Sequence, residues 1–343
     1  MAVGSNAIVS PSSYLAIGRE TTLGTYTTAT SSIDFLSCSM KTTRETKVLE
    51  EIQRKRYNSR IIPLGKSIEG DIEAYFTPAL TSSVFLLQNA LGGSVTSTEV
   101  TAAASYSHQF DIGSMNLTYS SLCLNERKGD ATSGKIWQYS GVRVNSLEVS
   151  CEIDDALKMK ASVIAMDSTL SGADIESDLT LSCANPLNFI SGRLSVENSF
   201  ASLTSSSFWH IQNFTYSLNN NLKSDAESRR IGSDTLQVLP IGMGSSELNC
   251  SIRFDTTTAY DAMINTTKLS AELVFEGDTI TGSSLRESLT FEFPVVYVSD
   301  AGDPEIGPDE ILKSEVSFKI LRDCSSATGF AVRTTVVNGV ASY

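Results

Sequence analysis

The sequence has very few of the residues on which most catalytic and metal sites depend. Its 343 residues include only two histidines, His108 and His210, and neither lies in a recognisable catalytic pattern. It has no Gly-x-Ser-x-Gly segment, which excludes the nucleophile turn of the α/β-hydrolases. The six cysteines are scattered without a Cys-x-x-Cys pair, so we expect free thiols and no zinc site. These absences favour a protein that is not an enzyme and needs no cofactor.

Long hydrophobic runs are also missing. No stretch of about 18 apolar residues occurs, so we expect no membrane-spanning helix. Residues 1–6 have neither the basic nor the apolar region of a secretory signal. Proline is scarce, with 8 residues, so few strand breaks are forced. Serine and threonine are abundant, and because threonine suits strands and serine suits turns, the composition favours β structure.

The chain is short of positive charge. Its 26 Lys and Arg residues against 39 Asp and Glu residues give a net charge of −13. Phosphate binding needs clustered basic side chains, so the surface as a whole is poorly suited to holding nucleic acid. Solubility alone is the alternative explanation of this charge. One segment departs from the trend, because residues 41–60 hold seven basic and three acidic side chains, a net charge of +4.

A weak internal duplication is the most informative pattern in the sequence. Ile62-Pro63-Leu64-Gly65 recurs as Leu239-Pro240-Ile241-Gly242, 177 residues later (239 − 62). Each copy is followed by a segment of alternating apolar and polar residues, at 69–76 and 247–254. This period of two is typical of a half-buried strand.

Two further matches support the duplication. Each alternating segment leads into a short predicted helix, over residues 81–91 and roughly 257–264. Near the end of each half, Ala156-Leu157-Lys158 and Ile311-Leu312-Lys313 open another segment with strand character. Coincidence between ordinary strand–turn–helix units is the alternative.

The remaining patterns are mostly those of strands, at 142–153, 291–298 and 330–337. We therefore predict a mainly β fold with two similar β-sandwich or barrel domains, each with one short packed helix. The first domain is predicted over residues 1–180 and the second over residues 181–343.

The opening of the chain contains the segment Gly-Arg-Glu-Thr-Thr-Leu-Gly-Thr at residues 18–25. It resembles the GxExTxGT segment that is common in one large group of phage tail tube subunits. In that group an apolar strand, a charged loop and a GxxxxGxI strand follow, and residues 33–40, 41–60 and 65–72 correspond to them here.

Two later segments, 139–147 and 214–222, also resemble strands of that family. The resemblance implies a β-sandwich whose sheet joins those of neighbouring subunits into an inner barrel, in rings that stack into a hollow tube for the genome. A duplicated chain implies a homotrimeric ring with pseudo-sixfold symmetry, whereas a single-domain subunit implies a homohexamer. The implied partners are further copies, other tail proteins and DNA that passes without specific binding. The implied location is the tail of the virion, after assembly in the host cytoplasm.

In the same family the charged loop reaches the adjacent ring. This suggests an inter-ring stacking arm made of Lys41, Arg44, Lys47, Glu50, Glu51, Arg54, Lys55 and Arg56. Its possible partner is the acidic stretch 300–310, for which weak calcium binding is another interpretation. The alternatives for the arm are a solvated helical or hairpin face and a nucleic-acid grip. Since exposed ion pairs contribute only about 0.2–1 kcal/mol each, such an arm needs many pairs or apolar anchors.

An acidic row is the second candidate site. Glu69, Asp71 and Glu73 alternate along one predicted strand and so share a face. We predict that this row faces the lumen, where like charge repels phosphate and lets DNA slide. An ordinary outer sheet face is the alternative. Competing functions are a tail terminator, a distal tail or decoration protein, and a carbohydrate-binding or glycan-cleaving β-sandwich.

Overall fold

The computed structural model describes residues 10–343 except 53, 55, 93–94, 113–120, 133, 172, 181, 204–207, 255, 303–310 and 326–328. Within this part of the chain it contains 19 β-strands and two α-helices. The prediction of a mainly β fold is confirmed.

The strands of the first half are β1 (Tyr14–Arg19), β2 (Ser31–Ile33), β3 (Phe35–Cys38), β4 (Lys41–Val48), β5 (Ile61–Tyr75), β6 (Thr96–Thr101), β7 (Ser105–Ile112), β8 (Leu122–Lys128), β9 (Lys135–Glu152), β10 (Lys158–Ala165) and β11 (Asp167–Ser171). Those of the second half are β12 (Arg193–Glu197), β13 (Phe208–Trp209), β14 (Ile211–Asn219), β15 (Ser245–Arg253), β16 (Leu269–Thr279), β17 (Arg286–Ala301), β18 (Lys313–Ile320) and β19 (Val332–Asn338). The helices are α1 (Thr81–Leu91) and α2 (Thr258–Ile264).

Both helices lie where the sequence predicts them. Helix α1 ends because Gly92 adopts φ 70°, a left-handed conformation that glycine tolerates, and donates its N–H to the Gln88 carbonyl. All residues of α1 after Thr81 are buried. The region 41–60 is only partly the charged loop that the family pattern suggests, since its first eight residues form β4.

The central feature is an antiparallel inner sheet of eight strands in the order β4, β5, β10, β9, β14, β15, β18, β17. The short strand β3 continues the β4 side of the sheet. Each half of the chain supplies four neighbouring strands, and β9 and β14 join the two halves. One face carries the core, as in β10, where Met159, Ala161 and Val163 are buried and alternate with more exposed side chains.

The strands of the two halves pair in the same register. The first residue of β10, Lys158, lies opposite Tyr75 of β5, and the first residue of β18, Lys313, lies opposite Arg253 of β15. Both pairs then continue without a shift for the next six residues. This repeat agrees with the matched sequence segments that opened these strands.

The irregularities repeat as well. In β9 the residue skipped by the pairing is Asn145, opposite the step from Ser162 to Val163 of β10. In β17 the skipped residue is Ser299, opposite the step from Ser317 to Phe318 of β18. A bulge at the same place in both sheet halves bends both strands alike, because an extra unpaired residue increases the local twist.

An outer layer covers the inner sheet. The long strand β9 passes from the outer layer, where it pairs with β8 and β11, into the inner sheet. The passage occurs at Gly141, which has φ 63° and whose N–H donates to Glu20 over 2.7 Å. Glu20 belongs to the GxExTxGT segment and is buried, where it also accepts from Gly24 N–H and Ser121 Oγ. The family-like segment therefore stabilises the crossing of β9.

One hairpin distinguishes the halves. Strands β6 and β7 follow α1 in the first half, whereas α2 in the second half leads directly into β16. Strand β7 pairs with β19, which also pairs with β17, so the hairpin joins the first half to the C-terminal strand. The domain limits 1–180 and 181–343 stay a prediction, since these strand pairs connect the two halves.

Candidate functional site

The two ends of the inner sheet are open. Among the residues that the structure describes, β3 and β4 pair only with β5, on one side. At the opposite end, and again within the described part of the chain, Tyr297–Ala301 of β17 pairs only with β18, because the pairing with β16 stops at Val296. Open edges present unpaired backbone N–H and C=O groups, which readily pair with another strand.

The internal junction between β9 and β14 shows how an edge of this kind is closed. Seven residue pairs join the two strands, from Asn213 opposite Glu152 to Asn219 opposite Ser146. The next residue, Asn220, is buried, and its N–H donates to the Asn145 carbonyl over 2.7 Å.

The side chain of Asn220 strengthens this junction. Its Nδ2 donates to the Ala90 carbonyl at the end of α1 over 2.8 Å and to the Val144 carbonyl over 3.0 Å. Since buried carbonyls need partners, one amide from the second half satisfies two groups of the first half.

The connection between β14 and β15, residues 220–244, folds over the first half. Arg229 donates to the Lys66 carbonyl over 2.7 Å and to the Asp234 carbonyl over 3.2 Å. Its guanidinium lies so close to Gly65 that a Cβ there would come within 1.9 Å of Nη1. The Lys66 N–H in turn donates to the Asp234 carbonyl over 2.8 Å. Backbone and side chain thus hold the connection against the start of β5.

An apolar cluster anchors the same connection. Leu236 and Leu239 are buried and pack with Met166, between β10 and β11. Arg143 of β9 donates to the Leu239 carbonyl over 2.7 Å. In the sequence Leu239 stands out only as part of the duplicated segment, and no periodic pattern in residues 220–244 reveals that it docks on the first half.

The proposed arm residues fall into two groups. Lys41, Arg44 and Lys47 lie on the exposed strand β4, and Glu50, Glu51, Arg54 and Arg56 lie on the exposed connection to β5. Lys55 and most of the acidic stretch, residues 303–310, lie outside the described residues.

Within the chain, the ion pairs of the arm are few and exposed. Arg44 lies 3.1 Å from Asp234 of the second connection, and Lys66 lies 3.6 Å from the same carboxylate. Arg60 lies 3.5 Å from Glu51 across the connection. At the tip, the large apolar side chain of Ile52 is fully exposed.

The acidic row Glu69, Asp71 and Glu73 lies on the face of β5 opposite the core side chains. Lys160 of the adjacent strand lies 3.4 Å from Asp71, so this row is partly neutralised. Lys158, the first residue of the same strand β10, donates a hydrogen bond to Asp155 in the preceding turn, which holds the pKa of that carboxyl below its usual range. The face is therefore polar with charges of both signs.

Neither histidine has a catalytic arrangement among the described residues. His108 is buried in the β6–β7 hairpin, where Ser97 Oγ and the Val340 carbonyl bond its two ring nitrogens. Burial lowers its pKa. His210 lies on the surface next to Phe208. No group of three or more His, Cys, Asp or Glu side chains in this part of the chain is arranged to hold a metal ion. Neither described helix combines the length and apolar character needed to cross a membrane.

Comparison with known proteins identifies the family. No curated protein matches the chain. A family model described as phage tail tube protein matches residues 10–320, which includes both halves of the inner sheet and both helices. The chain therefore belongs to the phage tail tube protein family, whose role is structural and whose place is the tail of the virion.

Proposed function

We propose that three copies of this chain close into a ring, and that the rings stack into the hollow tube through which the phage genome is delivered. The observation that supports this most is the inner sheet, which consists of two equivalent sets of four strands. At each end of the described sheet, the outer edge of the last strand is unpaired. The next copy satisfies these edges by continuing the sheet, and a closed ring removes every edge.

The size of the resulting barrel fits a conduit. Three copies of an eight-stranded sheet supply 24 strands (3 × 8). With strands about 4.8 Å apart and tilted by about 40°, a closed barrel of this number is about 45–50 Å across between backbones. Such a barrel is too wide for side chains to fill, which leaves a channel for a nucleic-acid duplex. In this arrangement each half of the chain is one tube domain, and the ring has pseudo-sixfold symmetry.

The β4–β5 hairpin is the proposed contact between rings. Strand β4, the start of β5 at residues 61–64 and most of the described connection are exposed. The hairpin carries basic side chains together with the exposed apolar residues Val48, Ile52 and Tyr57. Apolar anchors of this kind supply more binding energy than the exposed ion pairs around them.

The proposed lining of the lumen is the face of the inner sheet that lies opposite the core side chains. Glu69, Asp71 and Glu73 lie there with Lys160 beside them, and the whole chain carries a charge of −13. A lining of mixed but net acidic charge offers phosphate groups no cluster of cations to bind, so DNA passes without being held.

Electron microscopy of the purified full chain tests the ring and the tube. We expect long hollow tubes whose reconstruction shows three chains in each ring. Finite rings that do not stack would indicate a terminator or distal tail protein instead. Protein that stays monomeric under every assembly condition would contradict the proposal.

A matched pair of variants tests the stacking arm. Arg54→Glu with Arg56→Glu reverses charge at the arm, and Lys223→Glu with Arg230→Glu reverses two exposed bases on the other connection. We expect shorter tubes or free rings only from the first pair, measured by tube length in micrographs. Tubes of normal length and yield from the arm variant would rule out this role for the arm.

Charge reversal also tests the lumen. Glu69→Lys, Asp71→Lys and Glu73→Lys together should make assembled tubes retain DNA that is protected from nuclease, with an affinity that falls steeply with salt. Asp178→Lys, Glu227→Lys and Asp278→Lys serve as the control, because these exposed acids lie outside both the inner sheet and the arm, and we expect no nuclease protection from them. Protection by the control and none by the first variant would place the row outside the lumen.

A further inference from the structure

The pairing of β9 with β14 inside the chain shows the register expected for the equivalent contact that the proposed ring requires between two copies. In the internal pairing, Asn219 of β14 lies opposite Ser146 of β9. Each of these strands has a counterpart at an open end of the inner sheet, namely β3 with β4 for β14, and the end of β17 for β9. The repeated registers allow the counterparts to be assigned residue by residue.

Asp300 is the counterpart of Ser146. Ser146 directly follows the bulge residue Asn145, and Asp300 directly follows the bulge residue Ser299. The two bulges lie opposite equivalent steps of β10 and β18, so this assignment does not depend on any sequence alignment. It also places Asp300 at the open edge of the sheet.

Thr43 is the counterpart of Asn219. Thr43 lies opposite Ser67 of β5, and Asn219 lies opposite Ser245 of β15. Ser67 lies eight residues before Tyr75, which is opposite the first residue of β10. Ser245 lies eight residues before Arg253, which is opposite the first residue of β18, so the two serines occupy the same register position.

A second pair of irregularities supports this assignment. Strand β14 skips Gln212 in its pairing with β15, and β3 skips Leu36 in its pairing with β5. Both skipped residues lie seven positions before the assigned residue, Asn219 or Thr43. The two edge strands are thus bent at the same point, so the open edge has the shape of the strand that already pairs with β9.

We infer that β4 of one copy pairs antiparallel with the end of β17 of the next copy, with Thr43 opposite Asp300, Thr42 opposite Ala301 and Lys41 opposite Gly302. The inference rests on the proposed ring and gives it a register. It follows from the internal pairs of residues 217–219 with 148–146, each replaced by its counterpart.

The chemistry of the paired side chains agrees with this register. Lys41 and Thr43 lie on the same face of β4, so the Lys41 ammonium lies diagonally across from the Asp300 carboxylate. On the core side, Thr42 and Ala301 replace the buried pair Leu218 and Leu147 of the internal junction. The contact between copies therefore buries less apolar surface than the internal one, as suits a junction that forms only on assembly.

Disulfide crosslinking can measure the register. The Asn220 N–H bonds the Asn145 carbonyl, so the neighbouring pair of Asn219 and Ser146 is a narrow pair without mutual backbone hydrogen bonds. Its Cα atoms are about 4.5 Å apart by this geometry, which lies within the range that disulfides span. Thr43 and Asp300 occupy the same type of pair, and both are exposed in the single chain.

The native cysteines interfere little. Cys183 and Cys324 are exposed and are replaced by serine in every variant. Burial raises the pKa of the Cys38 and Cys250 thiols to about 12. Burial also raises the pKa of Cys151, so these thiols stay protonated and react slowly.

The experiment compares three double variants in assembled tubes under mild oxidation, read on non-reducing gels. Thr43→Cys with Asp300→Cys should give covalent dimers and trimers. Asn219→Cys with Ser146→Cys should crosslink within one chain and leave the apparent mass of a monomer. Lys41→Cys with Asp300→Cys is shifted by two residues, which places the thiols diagonally and should give little product.

The outcomes separate this inference from the proposed function. Normal tubes in which the Thr43–Asp300 pair stays uncrosslinked, or in which the shifted pair crosslinks better, would overturn the register and leave the tube intact. Failure of the serine-substituted parent to form any ring would instead contradict the proposed function. If the double variant does not assemble, a mixture of Thr43→Cys chains and Asp300→Cys chains with excess parent should give dimers only, and their absence would overturn the register.

Discussion

The junction inside the chain and the open ends of its inner sheet are built from equivalent strands but are left in different states. Inside, β14 lies against β9, Asn220 bonds the end of α1, and residues 220–244 fold over the start of β5. At the ends, β4 has no second neighbour among the described residues, and residues 50–52, 54 and 56–60 of its connection to β5 are exposed.

The difference lies in the partners that one chain can supply. The second-half connection packs on the first half of its own chain, where Leu236 and Leu239 are buried. Among the described residues, the first-half connection packs on no equivalent set of strands, and its apolar side chain Ile52 is exposed. In the proposed ring, joining the two halves in one chain makes one of two equivalent contacts intramolecular, so that this contact is always present at high effective concentration.

The largest expected effect separates the two connections by stability. Leu239→Ala should lower the free energy of unfolding by about 2–4 kcal/mol, because it removes a buried side chain that packs on Met166. Ile52→Ala, in the exposed connection, should change it by less than about 0.5 kcal/mol while reducing tube assembly. Urea unfolding and electron microscopy measure the two quantities. Equal losses of stability would show that the two connections do not differ in this way.

A polar substitution sharpens the comparison. Arg229→Ala should cost about 1.5–3 kcal/mol, since it removes a charged donor from the Lys66 and Asp234 carbonyls. Arg230→Ala is the matched control, because Arg230 is exposed, and we expect a change below about 0.5 kcal/mol. The same urea titrations serve for both variants. A loss at Arg230 as large as that at Arg229 would contradict the assigned contacts.

The β7–β19 pairing, which also joins the two halves, adds a pH dependence to the stability of the chain. The pKa of His108 is lowered from 6.5 by burial, so only the unfolded state gains its proton as the pH first falls below 6.5. Stability is therefore lost between that pH and the lower folded-state pKa.

A pair of histidine variants isolates this effect. Thermal unfolding should show a smaller decrease between pH 7.5 and pH 5.5 in His108→Gln than in the native chain. His210→Gln, at the surface, should keep the native decrease. An unchanged decrease in His108→Gln would assign the pH dependence to other groups.

The smallest effect concerns the ion pair that links β4 to the second connection. Arg44 and Asp234 lie 3.1 Å apart with side chains 47% and 41% exposed. A double-mutant cycle with Arg44→Ala and Asp234→Ala should give a coupling energy below about 1 kcal/mol that weakens with salt. A salt-independent coupling energy of several kcal/mol would contradict the assignment of Arg44 and Asp234 as an exposed, solvent-screened ion pair.

Much of the inner sheet could be predicted from residue spacing. The alternation in residues 69–76 and 247–254 placed their apolar side chains on the core face of β5 and β15, and the helix over 81–91 has the predicted bounds. The acidic row, Glu69 to Glu73, shares the face opposite the core for the same reason, although its place in a lumen remains a prediction.

The arm was less predictable. Its residues share charge and a family-like position, and charge does not indicate that residues 41–48 form a strand that ends at Val48. Nor does it reveal that Arg44 pairs with Asp234, 190 residues away in the chain.

Residue patterns along the chain specify the local geometry of this protein: which side chains share a face, where the helices lie, and that a pattern recurs. These features follow from the periods of strands and helices, which depend on near neighbours. Which edges are closed and which stay open is evident only in the folded chain, because strand pairing joins residues far apart in the sequence and no local pattern encodes their partner. That Asn219 meets Ser146 while Thr43 meets no second strand within the described chain is a property of the folded molecule.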